Sequence, residues 1–210
     1  MTAETVKKYG LNAGASVVGI AASEDFVSAP NGRKPTDILE GCRSVIVLGA
    51  PFDRDVFGKS SAEYTRIRQE TVKKTGDAAK TVAKQIKKNG YKAAEIVSLS
   101  EKISLKHAAE LAGIGTIGKN YLLANPEHGN LLWFSAVLTD AELIPDKKSE
   151  SVICENCNKC VEICPQKALG ENPEAFDKKK CAKIMMKIKD KKMEIACFLC
   201  RKICPYRLGK

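Results

Sequence analysis

Aromatic side chains are scarce in this 210-residue chain: Phe, Trp and Tyr make up 6% of it, with a single Trp. Lys178-Lys179-Lys180 and the lysine-rich stretch 187–192 therefore lack the interleaved rings of a single-strand stacking groove, and read as solvated faces. Histidine is scarcer still. His107 falls inside an expected helix, a packing position, while His128 falls in a turn that could flank a cavity. No apolar run reaches the length of a membrane span. Met1-Thr2-Ala3-Glu4 offers neither a basic nor an apolar leader region, so a cytoplasmic location is expected, a compartment in which disulfides do not persist.

Cysteine, by contrast, is plentiful: there are nine. Cys154, Cys157, Cys160, Cys164 and Pro165 form C-x2-C-x2-C-x3-C-P, the run used by ferredoxins that carry two iron–sulfur clusters. Cys197, Cys200, Cys204 and Pro205 repeat its last part, and Cys181 lies between. The tight C-x2-C-x2-C loop can curl three thiolates around one cubane. The fourth cysteine, ahead of a proline, is carried by the next turn onto the other. The spacing therefore assigns Cys154, Cys157, Cys160 and Cys204 to one [4Fe-4S] cluster, and Cys164, Cys181, Cys197 and Cys200 to a second. Zinc ribbons also pair C-x2-C, but zinc takes one closed set of four, and a third cysteine followed by x3-C-P is not zinc spacing. Oxygen-sensitive clusters would suit an anaerobic host. Cys42, the ninth cysteine, has no partner at ligand spacing and reads as a small buried side chain.

The net charge of +10 is uneven. Residues 151–210 hold 14 Lys and Arg against 7 Asp and Glu, or +7, and the other 150 hold 21 against 18, or +3. A basic face beside a redox centre could steer an acidic electron donor such as a ferredoxin or flavodoxin, or it could bind RNA.

In chain order, residues 2–13 read as a helix with Thr2 as cap, ended by Gly14. Two buried strands follow, over 16–21 and 44–50. Residues 62–89 form the longest helical stretch, closed by Gly90. A third strand is expected over 91–99, a short helix capped by Ser104 over 104–112, and a central apolar strand over 131–138. Residues 145–148 look like a linker. The whole predicts an α/β or α+β sandwich over 1–146, then a small ferredoxin-like two-cluster domain over 147–210.

Gly113-Ile114-Gly115-Thr116-Ile117-Gly118-Lys119-Asn120 contains G-x-G-x-x-G, yet a helix precedes it where a dinucleotide fingerprint needs a strand. It also falls short of a phosphate loop, since Asn120 stands where a hydroxyl should meet magnesium. Neither nucleotide reading survives, although free amides and one lysine can still embrace a flat or anionic cofactor.

At this loop the chain is similar to a known family. Gly41 to Leu48, His107 through Ala112-Gly113-Ile114-Gly115-Thr116-Ile117-Gly118-Lys119-Asn120 to Asn125-Pro126-Glu127, Leu138-Thr139-Asp140 and the cysteine runs resemble epoxyqueuosine reductase and the related reductive dehalogenases. The resemblance runs from about residue 1 to 207. It implies a nitroreductase-like domain that binds a corrinoid (cobalamin), joined to two [4Fe-4S] clusters, and a small-molecule or tRNA substrate. It places Gly113, Gly115, Gly118, Lys119 and Asn120 against the corrinoid, with Tyr64 and Arg66 facing the same cavity. It also implies an acidic proton donor before the short helix. Leu99 stands at the matching position, which leaves Glu101, and His128 elsewhere, as candidate catalytic groups. No D-x-H-x-x-G segment is present to supply a cobalt-ligating histidine, so a corrinoid would be bound without a protein axial ligand. Flavin is the alternative occupant, and a non-catalytic electron carrier the alternative function.

Overall fold

The structure, a computed structural model, describes residues 1–98, 100–149, 154–189 and 191–209. In chain order its elements are α1 (Ala3–Asn12), β1 (Val17–Ala22), α2 (Pro35–Ile38), β2 (Ser44–Pro51), α3 (Ser61–Lys88), β3 (Ala93–Ile96), α4 (Leu105–Leu111) and β4 (Thr116–Ile117). They continue with β5 (Leu123–Ala124), β6 (Leu132–Thr139), α5 (Lys159–Glu162), α6 (Lys178–Met185), β7 (Met186–Lys189), β8 (Lys192–Ile195) and α7 (Leu199–Ile203). No described helix is long and apolar enough to cross a membrane.

Two compact units divide the chain. The first comprises Met1–Pro51, Thr71–Gly115 and Trp133–Ser149; the second comprises Phe52–Glu70, Thr116–Leu132 and Glu150–Lys210. Where the sequence suggested a single cut at 146/147, two earlier segments thus join the cysteine-bearing end.

The first unit is built on a four-stranded sheet in the order β1-β2-β6-β3. β1 and β2 pair antiparallel with Ile20 opposite Ile46, and β3 pairs antiparallel with β6 so that Ala93 faces Thr139. The expected central strand is β6, and it does lie inside the sheet. Its run Leu-Trp-Phe-Ser-Ala-Val-Leu-Thr is buried at every position but Trp133, as an interior strand covered on both faces requires. Ala79, Val82, Ala83 and Ile86 recur at helical spacing along α3 and pack with Val6, Ile20, Ile46, Leu48 and Val137 into one core. Fully burying a side chain the size of Leu48 or Ile86 stabilises by roughly 1.5–3 kcal/mol.

Local signals fix the ends of these elements. The Thr2 side chain accepts from the Thr5 N–H, and Gly14 continues past the α1 C-cap at φ +95°. At the start of α3, Ser60 Oγ accepts from the Glu63 N–H at 3.3 Å while the Glu63 carboxylate accepts from the Ser60 N–H at 3.1 Å, a reciprocal capping box. Ser104 caps α4 by accepting from the His107 N–H.

Residues 145–148 are not a loose linker. The Asp146 carboxylate accepts from Lys7 Nζ at 2.5 Å and from the Ile20 N–H at 2.9 Å, and the Asp146 N–H donates to the Ile20 carbonyl at 2.8 Å. Backbone pairing along β1 therefore continues into this segment.

The second unit has no large sheet. β4 and β5 form a two-rung hairpin with Thr116 opposite Ala124, and β7 and β8 form a longer one with Met186 opposite Ile195. The β7–β8 hairpin went unpredicted. Its lysines suggested a solvated face, but Met186 and Ile188 alternate with Lys187 and Lys189, and Lys187 sits across from Glu194 at 3.6 Å.

Candidate metal centre

Eight of the nine cysteines lie in the second unit; Cys42 lies in the first. Cys42 is buried, as expected, and its Sγ donates to the Ser44 carbonyl at 3.6 Å. Burial pushes its thiol above the ordinary value.

The remaining thiols influence one another in two sets. Cys160 is pushed up to about 11, first by burial and then by Cys154, Cys204 and Cys157. Cys204 is raised by burial too, with further contributions from Cys154 and Cys157. These are the four cysteines that the spacing assigned to one cluster. Cys200 is also pushed up to about 11, by burial and by Cys181 and Cys197, three members of the second set. Cys164, the fourth, is placed differently: its Sγ accepts from the Ala168 N–H at 3.3 Å.

Among the described residues, no group of three or more Cys, His, Asp or Glu side chains closes around a single metal ion. Four thiolates on one zinc would lie about 3.8 Å apart, given Zn–S bonds of about 2.3 Å. A cubane spreads its ligands more widely. Crowded, half-buried thiols are costly to ionise alone, and bound iron supplies the positive charge that keeps them as thiolates. The donor set fits two iron–sulfur clusters.

Around these cysteines the second unit supplies polar ties. Asn120, 7% exposed, donates through Nδ2 to the Cys200 carbonyl at 3.3 Å and accepts on Oδ1 from the Leu122 N–H at 3.1 Å. Asn130 donates through Nδ2 to the Arg201 carbonyl at 3.1 Å, and Arg201 Nη1 donates back to the Asn130 carbonyl. Thr65 Oγ1 accepts from the Ile195 N–H at 2.8 Å. The Tyr64 ring stacks on Phe198 at 4.3 Å with an interplanar angle of 2°, and Phe52 meets Tyr64 edge-on at 5.5 Å. Burial raises the Tyr64 phenol above its ordinary value. A tyrosine and two asparagines separated by tens of residues thus converge on the loop Cys197–Cys204.

The residues proposed from the resemblance are not gathered into one cradle. Gly113 and Gly115 fall in the first unit, while Gly118, Lys119 and Asn120 fall in the second. Gly113 turns the chain past α4 at φ +70°, and a Cβ there would lie 2.3 Å from the Lys147 carbonyl oxygen, which accounts for glycine on its own. Lys119 Nζ donates to Asn158 Oδ1 at 2.8 Å. Gly118 closes the β4–β5 hairpin through its N–H to the Leu122 carbonyl at 3.0 Å. Tyr64 is buried, whereas Arg66, two residues on and thus on another face of α3, pairs with Glu70 at 2.6 Å in solvent. They do not share a cavity.

Glu101 is exposed and Leu99 lies outside the described residues. His128 is half-buried in the Asn125–Gly129 turn, with its N–H donating to Asn125 Oδ1 at 2.9 Å. A cleft of about 440 Å³ is lined by Lys80, Ala83, Lys84, Lys87, Lys88 and Glu95, none of them singled out by the sequence. Its charged walls are unlike the apolar lining a corrinoid or flavin needs. Gly113, Lys119 and Asn120, engaged as they are, do not fit as corrinoid contacts.

No family model matches the chain. Curated relatives do. An epoxyqueuosine reductase from Prochlorococcus marinus is 27% identical over 211 residues, 90% of this chain and 65% of that protein. The chain is a homologue of the epoxyqueuosine reductases. It spans just under two thirds of that relative's length. Solved structures agree on the fold. An epoxyqueuosine reductase crystallised with an epoxyqueuosine-modified tRNA-Tyr stem loop superposes with TM-score 0.71 at 18% identity, over 97% of this chain and 64% of that one. A reductive dehalogenase whose structure suggested a mechanism for B12-dependent dehalogenation gives 0.80 at 21% identity, over 99% and 32%. The mixed α/β fold expected from the sequence is the fold of both.

Proposed function

We propose that this chain is an iron–sulfur reductase of the epoxyqueuosine reductase kind, holding two [4Fe-4S] clusters on Cys154, Cys157, Cys160, Cys204 and on Cys164, Cys181, Cys197, Cys200. The observation that carries the reading is the mutual influence of Cys154, Cys157, Cys160 and Cys204, the set that the ferredoxin spacing puts on one cubane. When bound, the clusters supply one-electron storage at low potential. The chain's own residues then do three things. Eight thiolates hold the iron, Asn120 and Asn130 hold the backbone beside Cys200, and the +7 charge of residues 151–210 steers an acidic donor such as a ferredoxin or flavodoxin. Titration of anaerobically purified protein should find about eight iron atoms per chain. Well under eight, or zinc in their place, overturns the assignment.

The electron acceptor is a bound corrinoid in this reading, supported by the B12-dependent dehalogenase neighbour, with contacts other than Gly113, Lys119 and Asn120. Added cobalamin should shift its visible band on the protein; tight flavin binding without that shift would move the assignment to a flavin reductase. A tRNA substrate is supported by the tRNA-bound neighbour. Binding of a tRNA stem loop should then weaken steeply with salt, and no binding at low salt overturns it.

A second reading, a non-catalytic electron carrier, is favoured by the internal engagement of the glycine-rich loop. It predicts electron transfer to an external acceptor with neither cobalamin nor flavin bound.

A further inference from the structure

Arg201 is a buried cation between two cluster cysteines. It lies on α7 next to Cys200 and three residues before Cys204, and it is 7% exposed. Burying a guanidinium is expensive unless something recovers the loss. The partners that fix it here are neutral. Nη1 donates to the Asn130 carbonyl, the guanidinium carbon lies 5.5 Å from the Phe52 ring centroid, and the Asn130 side-chain amide returns a bond to the Arg201 carbonyl at 3.1 Å. Neither the carbonyl nor the ring cancels the positive charge. A second cation, Arg68, lies close enough for Arg201 to depress its protonation, adding to the effect of burial. A like-charged pair in a low-dielectric surround would be a poor way to build a small domain for stability alone.

We infer that Arg201 is a tuning residue: its fixed charge raises the reduction potential of the cluster on Cys164, Cys181, Cys197 and Cys200. The inference rests on the two-cluster reading above. A [4Fe-4S] centre with four thiolates is net negative and gains one more negative charge on reduction. One electron arrives from an external low-potential donor and no bond or proton need move. A permanent cation beside it stabilises the reduced form more than the oxidised one, which is a rise in potential. Arginine suits the task because it stays charged when buried, where a lysine would be pushed to release its proton. The reciprocal bonds with Asn130 hold the charge at a fixed place, so the effect does not depend on a mobile side chain.

The test is an EPR-monitored redox titration of anaerobically prepared holoprotein, wild type against R201Q, R201M and R201K, with iron counted in each. Both neutral variants should weaken reduction of one cluster about tenfold, which is about 59 mV for a one-electron couple, and move the other cluster much less. R201K should restore most of the wild-type value. R201Q and R201M differ in packing while sharing the loss of charge, which keeps the test open should one of them misfold. Unmoved potentials at full iron content, or an equal shift in both clusters, overturn the inference and leave the two-cluster reading standing. Absence of iron from the wild type overturns that reading, and the inference with it.

Discussion

The two units hold themselves together by different means. The first packs Val6, Ile20, Ile46, Leu48, Val82 and Ile86 at full burial around a four-stranded sheet and needs nothing beyond its own side chains. Across 154–209 of the second unit, the buried hydrophobics among the described residues are only Cys160, Ala168, Leu169 and Ile195, while Ile163, Met185, Ile188, Met193, Leu199 and Ile203 are exposed. α5, α6 and α7 are 4, 8 and 5 residues long, too short to stand unaided. A segment with so little apolar burial orders itself through its ligands, as small metal-bound domains do. One unit is a core with loops; the other is a set of loops round two centres.

The largest effect should come from removing the ligands. Cys160→Ser should cost about half the iron and strip hydrogen-exchange protection from amides such as Ile195 and Arg201, while Val45 to Leu48 stay protected. Equal loss in both units would collapse the contrast. Next in size, Leu48→Ala should destabilise the first unit by about 2–5 kcal/mol in urea with iron content unchanged, whereas Ile188→Ala, at an 81% exposed position, should stay within about 0.5 kcal/mol.

Cys42 gives the contrast a pH dependence. Burial raises its thiol, so the folded state holds that proton more tightly than the unfolded chain does. The resulting stabilisation is fully present below the usual thiol value and is lost as pH climbs through the raised one. The melting-temperature gap between wild type and Cys42→Ala should therefore narrow from pH 7 toward pH 10.5; a constant gap would mean Cys42 acts by packing alone. Smaller effects complete the series. Ser104→Ala should cost about 1 kcal/mol through the lost α4 cap, and Arg66→Ala, whose pair with Glu70 is exposed, no more than about 0.5 kcal/mol by urea unfolding.

The same contrast explains what could be read in advance. The sheet strands announced themselves as apolar runs bounded by Gly and Pro, and Thr2, Ser104, Gly14 and Gly90 marked helix ends by local chemistry that needs no tertiary knowledge. The cysteine pattern was equally local. β4 and β5 are too short to leave a period, and lysine content masked the alternation of β7 and β8, where Met186, Ile188, Met193 and Ile195 carried the missed signal. Asn120, Asn130 and Arg201 were invisible for a different reason. Their bonds join positions 71 to 80 residues apart, and nothing in an isolated asparagine says which carbonyl it will meet.

The β7–β8 hairpin leaves α6 just after Cys181 and comes back at Cys197, where the Ala196 N–H meets the Met185 carbonyl at 2.8 Å. Its base is fixed by that return bond, while Lys191 turns its tip at φ +60°. Paired additions or deletions, one residue from each strand, should lengthen or shorten the arm like a telescoping rod without disturbing the bond at its foot. The intervening length is therefore open to drift, grafting or labels, and a reporter group carried on the tip would leave the iron-holding residues where they are.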